Sequence, residues 1–340
     1  MTTKRVTLAD VARRAGLSSS AASMILNGRP DTRLSQDAHD RVTRAAAELG
    51  YRPNVAARSL RVDKTQTIGF ISDTVATTRF ASGLIKGALA AAEQAEHVIL
   101  LAETGGDPVR EAEAIAALLD RQVDGIVFAT MRSREVEVPT LPGNTRVVLL
   151  NAISDPHTTS VLPDEEQGGR AAVALLADAG HREGIVLLGH NAVEERDLFR
   201  STTVARRLAG IRAEMQDRGL SFMSEESVWD WVPHNGYALV EALLADGAQP
   251  RALLCLNDPL AFGAYQALTE HGLRVPDDVS IVSFDNDEIA SYLRPGLTTI
   301  ALPHEEMGAR AVELLLDGTA AQGEHLVQMP VVVRDSIRQL

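Results

Sequence analysis

Residues 6–28 read VTLADVARRAGLSSSAASMILNG. Leu8, Val11, Ala12 and Ala15 recur at helical spacing, so one apolar stripe of a short helix faces inward. Thr7 stands at its entry with Asp10 three residues on, a capping-box arrangement with Asp in place of the usual Glu. Gly16 suits the left-handed residue that closes a helix. Ser18 then caps a second helix running to about Leu26, with Ala21, Ala22, Ile25 and Leu26 inward. Ser19, Ser20, Ser23 and Asn27 are left to project outward, and Asn27-Gly28 is a turn signal. Two helices joined by a tight glycine turn are either a plain serine-capped hairpin or a helix-turn-helix. In the latter the second helix enters a DNA major groove, leading with its N-terminal residues. Those residues are Ser19 and Ser20, whose hydroxyls bond several bases, while Ser18 and Ser23 suit phosphates.

Working outward, Ser35 opens a third helix with Ala38, Val42, Ala45, Ala46 and Leu49 inside and Gly50 at its end. Pro53 disfavours helix at Arg52. Residues 54–61, NVAARSLR, make one amphipathic turn too short to stand alone. Charge separates this head from the rest. Residues 1–61 hold eleven Lys and Arg against five acids, or +6, which leaves −19 for the remainder of a chain of net charge −13. A basic element that meets phosphates, beside an acidic body that phosphates repel, fits this asymmetry.

Past residue 66 the sequence alternates β-rich runs with amphipathic helices. Strands are expected at 67–72, 97–102, 124–129, 146–150, 184–189, 252–256, 279–284 and 326–333, and helices at 83–95, 109–121, 168–180 and 259–271. Alternation of this kind implies parallel sheets with helices on both faces, and about 275 residues of it imply two lobes. Ligands of such sheets bind beyond the carboxyl ends of strands. There stand Asp73, Asn151, Asn257-Asp258 and Asp285, side chains able to bond the hydroxyls of a polyhydroxy ligand. Turn and helix-cap roles are open to the same residues.

Other classes are set aside by absence of their patterns. The single cysteine, Cys255, excludes a disulfide framework and a multi-thiolate zinc site. There is no export signal behind the N-terminus and no apolar run of about 20 residues. Catalytic signatures such as G-x-S-x-G, GxxxxGK[ST] and HExxH are missing. The expectation is a cytoplasmic, nucleoid-associated protein that is not an enzyme and needs no metal or cofactor.

The opening run, together with AAAELGYRPNVAARSLR, resembles the head and hinge of the LacI/GalR family of repressors. The segments TIGFIS, RRLAGIRAEM, ALLCLNDPLAFGAYQAL and VSIVSFDNDEIASYLRPGLTTI are similar to its sensor core, which is like periplasmic sugar-binding proteins. The resemblance implies a small all-α helix-turn-helix domain (1–53), a hinge helix and linker (54–65), and an α/β domain of two Rossmann-like lobes (66–340). Lobe one would take about 66–163 and 303–324, and lobe two about 164–302 and 325–340. It implies DNA contacts from Thr7, Ser18, Ser19, Ser20, Ser23, Asn27, Asn54, Ala57, Leu60 and Arg61, with Leu60 as a minor-groove wedge. It implies effector contacts from Asp73, Phe80, Asn151, Arg207, Trp231, Asn257 and Asp285. Met24 departs from the polar or basic residue common at its position and leaves the operator sequence open. The implied protein is a homodimeric repressor of carbohydrate-use genes on a pseudo-palindromic operator, controlled by a small molecule of the sugar class. The alternatives are a solute-binding protein without a DNA role, or a regulator answering to a nucleoside, a purine or a protein.

Overall fold

A computed structural model describes residues 6–26, 34–51, 64–79, 81–137, 141, 145–154, 158–189, 204–228, 230–319 and 321–340. The chain divides into two units, 1–65 and 66–340.

In the first unit α1 (Leu8–Ala15), α2 (Ser19–Leu26) and α3 (Gln36–Leu49) enclose a core of Val11, Ala12, Ala15, Ala22, Ile25, Ala38, Val42, Ala45 and Ala46. The caps are local and follow from the sequence. The Asp10 carboxylate accepts from the Thr7 backbone N–H at 3.0 Å and its hydroxyl at 2.7 Å. Gly16 and Gly50 take φ of 66° and 61°, the left-handed geometry that returns their N–H groups to the last helical turn. Ser18 Oγ accepts from the Ala21 N–H at 3.2 Å, and Ser35 Oγ from Ala38 at 3.3 Å. Arg41 reaches from α3 to the Ala15 carbonyl and ties the third helix to the turn.

Among the described residues the second unit holds two six-stranded sheets. The first contains β1 (Thr67–Ser72), β2 (Val98–Glu103), β3 (Gly125–Glu135), β4 (Arg146–Ile153), β5 (Thr159–Pro163) and β11 (Glu324–Val327). Its order is β2-β1-β3-β4-β5-β11, with every pairing parallel. The second contains β6 (Ile185–Leu188), β7 (Ser224–Glu226), β8 (Ala252–Cys255), β9 (Ser280–Asp285), β10 (Thr298–Ala301) and β12 (Val331–Val332). Its order, β7-β6-β8-β9-β10-β12, repeats the first, except that β12 runs antiparallel to β10. The expected single strand 326–333 is therefore two strands in two sheets. Pro330 lies between them, and its carbonyl accepts from the Ala301 N–H at 2.8 Å. Pairing of Val327 with Pro163 carries the first sheet past the 324 boundary expected from sequence.

Six helices pack on the sheets in three pairs: α4 (Ser82–Gln94) with α11 (His304–Leu316), α6 (Glu165–Asp178) with α7 (Val204–Asp217), and α8 (Pro233–Ala245) with α9 (Asp258–Glu270). α5 (Pro108–Asp120) covers the other face of the first sheet, and α10 (Glu288–Tyr292) follows β9. Each pair meets through a glycine on either helix. A Cβ at Gly210 of α7 would lie 2.1 Å from the Glu166 carbonyl oxygen, and one at Gly169 of α6 2.2 Å from that of Arg207. Gly87 with Gly308, and Gly236 with Gly263, make the same backbone-to-backbone approach. No helix among the described residues is long and apolar enough to cross a membrane.

Candidate functional sites: a helix face and a cleft

The outward edge of α2 is made of serines. Ser19 and Ser20 are exposed, and Ser18 is exposed with its Oγ engaged as a cap; Ser23 is half-buried. Thr7 is exposed at the N-terminus of α1. The small inner residues Ala21 and Ala22 let α2 lie close on α1 and leave the serines as the element's reachable face. Asn27, Asn54, Ala57, Leu60 and Arg61 lie outside the described residues, as does Phe80.

The second candidate site lies at the carboxyl ends of the strands, where each order reverses beside β1 and β6. Arg79, after β1, pairs with Glu288, after β9, so these ends of the two lobes face each other. In lobe two the close α6–α7 crossing puts Glu165 and Arg207 side by side, both 3% exposed. Arg207 Nε and Nη2 donate to the two Glu165 oxygens at 2.6 and 2.9 Å, and Nη1 donates to the Leu256 carbonyl at 2.6 Å. The guanidinium lies 4.3 Å from the Phe284 ring centroid. Asp285, at φ 105°, presents its carboxylate 3.9 Å from Arg207 Nη2. Burial holds that carboxyl well above the usual range, and Arg207 offsets the burial only in part. Beside it the buried Asp258 accepts from Ser283, from Thr299 Oγ1 at 2.8 Å and from the Asp287 N–H at 2.7 Å. Burial outweighs these bonds and pushes its carboxyl up to about 6.

Asn257 caps α9, accepting from the Leu260 N–H at 2.9 Å and donating to the Trp231 carbonyl at 3.1 Å. Trp231 is half-buried, and its Nε1 donates to the Gly189 carbonyl at 2.8 Å. Arg207, Asp285, Asn257 and Trp231 are thus brought together through Leu256 and its neighbours. Asp73 and Asn151 form a separate pair in lobe one. Asp73 accepts from the Met131 N–H at 2.9 Å, while Asn151, at φ 56°, donates to the Thr130 and Met131 carbonyls at 3.0 Å. Both end on the irregularity that β3 makes after Ala129. Cys255 is buried in β8 and its thiol is pushed up by burial. Among the described residues no group of three His, Cys, Asp or Glu could hold a metal.

Residues 7–54 match the model of bacterial regulatory proteins of the lacI family, and residues 173–337 match a periplasmic binding protein-like domain. The ribose operon repressor of Haemophilus influenzae is 32% identical over 342 residues, covering 98% of this chain and 99% of that protein. This chain belongs to the lacI family of bacterial regulatory proteins. Another member, the HTH-type transcriptional repressor PurR of Vibrio campbellii, is 31% identical over 98% of this chain and 99% of its own length. The lac repressor dimer bound to operator and the anti-inducer ONPF superposes with a TM-score of 0.77 at 27% identity, covering 98% of this chain and 100% of that one. The two-part architecture expected from sequence is thereby shown for this lacI-family chain.

Sequence reading missed Glu165 as part of the cleft. A signal was there: Glu165, Gly168, Gly169, Ala172 and Leu176 form one buried stripe of α6, and an acid on such a stripe needs a partner. It also passed over Thr130 and Met131, whose backbone groups join Asp73 to Asn151.

Proposed function

We propose that the protein is a homodimeric transcriptional repressor that grips a pseudo-palindromic operator, and that a neutral polyhydroxy compound of the sugar class sets its grip. The observation that carries this reading is the serine face of α2, held outward on a capped three-helix core of a basic head. Two such heads read half-sites in successive major grooves. The 54–61 segments order over the operator centre, with Leu60 wedged into the minor groove. Effector in the cleft changes the angle between lobes, and with it the ordering of 54–61, a disorder-to-order switch. Asp285 supports a hydroxyl-bearing ligand, since among the described residues its carboxylate is ion-paired with Arg207 alone, at 3.9 Å, and a hydroxyl is a natural donor to it. The site of action is the nucleoid, inside the cell.

A purine or nucleoside is the second reading. It is favoured by the PurR relative and by the half-buried ring of Trp231, on which a base could stack.

The test is selection of bound fragments from the protein's own genome, followed by gel shift on the enriched sites with pentoses, hexoses, purines and nucleosides added singly. One effector class should change operator affinity at least tenfold. Sugars without effect and purines with one would transfer the assignment; no preference over random duplex would end the DNA-binding reading.

A further inference from the structure

We propose that Glu165 is a specificity-determining residue of the cleft: by closing an internal ion pair with Arg207, it makes the floor of lobe two turn away anionic effectors and admit neutral ones. This rests on the effector reading above. An arginine in a ligand cleft ordinarily offers a two-pronged donor to carboxylate or phosphate. Here that fork is already occupied, by both Glu165 oxygens. Nη1 is tied to the Leu256 carbonyl and Phe284 covers the guanidinium plane. Of the five N–H groups one on Nη1 and one on Nη2 remain, and Nη2 faces Asp285 at 3.9 Å.

The charges around that edge decide what can enter. Glu165, Asp258 and Asp287 act on Asp285 as like charges, against the attraction of Arg207. An anionic ligand reaching Asp285 meets surplus negative charge in a low-dielectric site, where the charge of Arg207 is already matched by Glu165. A hydroxyl meets none of that penalty and gives Asp285 a donor.

The pair is held by the fold rather than by chance rotamers. Gly169 and Gly210 let α6 and α7 approach until their backbones touch, and the same crossing fixes both side chains at 3% exposure. The close crossing and the burial of both side chains hold Glu165 against the fork.

The experiment is calorimetric titration of the full-length protein with matched probes: D-ribose against ribose 5-phosphate, D-glucose against gluconate, and inorganic phosphate alone. The wild type should bind the neutral member of a pair at least tenfold more tightly than the charged one. Glu165→Gln should raise affinity for phosphate and for the charged probes at least tenfold, shifting the charged-to-neutral ratio. Adding Arg207→Met should abolish the gain. A folded Glu165→Gln protein with an unchanged ratio, or a wild type that takes the charged probe equally well, would overturn the proposal. A wild type that binds no neutral probe defeats the sugar reading alone, because the phosphate arm still reports on Glu165. If Glu165→Gln does not fold, Glu165→Met, which keeps the length of the side chain and removes its charge, takes its place with the same outcomes.

Discussion

Replacing Arg207 with methionine keeps most of the stem and removes the guanidinium. It strands the Glu165 carboxylate, 3% exposed, beside an unpaired Leu256 carbonyl. Removing one member of a buried ion pair costs about 3–5 kcal/mol, because the other charge stays buried without compensation. In a sensor unit of this size each kcal/mol moves the melting midpoint by about 2–4 °C, so the loss is about 6–20 °C. Adding Glu165→Leu removes the stranded charge. Apolar replacement of both partners is often near neutral, so the double variant should recover all but about 1 kcal/mol, the cost of the unpaired carbonyl. Both tryptophans, Trp229 and Trp231, fall in the 173–337 match. Urea titration followed by tryptophan emission therefore reads this unit separately from the head. A single variant within about 1 kcal/mol of wild type, or a double variant no better than the single, would refute the assignment of Glu165 as the counter-charge.

On the proposed wedge role, Leu60→Ala should weaken operator binding at least about tenfold in a gel shift, since each subunit would lose an apolar contact with DNA, with the circular dichroism unchanged; equal affinity rejects the wedge. Gly210→Ala should destabilise the sensor by about 1–3 kcal/mol, since the new Cβ meets the Glu166 carbonyl at 2.1 Å; an unchanged urea midpoint would show that the helices can part freely. Asp258 holds its proton more tightly folded than unfolded, so stability falls as pH rises from about 4 through about 6. The full penalty, present above that window, is about 3 kcal/mol. Asp258→Asn should flatten that slope in melts at pH 5 and 7.5, and parallel slopes in the two proteins would exclude Asp258 as its source.

The head was legible residue by residue because its signals are local. Thr7, Asp10, Gly16, Ser18, Ser35 and Gly50 each act within four positions, and the structure shows each of them in its expected place. The central strands of both sheets were legible as apolar runs between amphipathic helices. β5, β7 and β10 were not. They are short, and each opens on polar residues, Thr159-Ser160, Ser224-Glu225 and Thr298-Thr299, rather than on an apolar run. VVV at 331–333 read as part of one long strand, because its apolar character outweighed the interruption at Pro330. In the cleft, strand-end positions could be picked out, but not which groups were already bound to one another. The Arg207–Glu165 pairing spans 42 residues, and Asn257 could be read equally as a cap or as a ligand.

The chain passes between the lobes three times, at Asp164, at 302–303 and at 328–330, and each passage is only one to three residues long. These passages are stitched together: the Asp164 N–H donates to the Val327 carbonyl, and the Met329 N–H to the Gln167 side chain. Three short tethers bound side by side act like a door hinge with a single pin. They resist stretching and shear and leave twist as the soft direction. The Leu302 N–H is bonded to the backbone carbonyl of Asp285, so any turn of that residue, such as the proposed effector contact would bring, pulls directly on the pin.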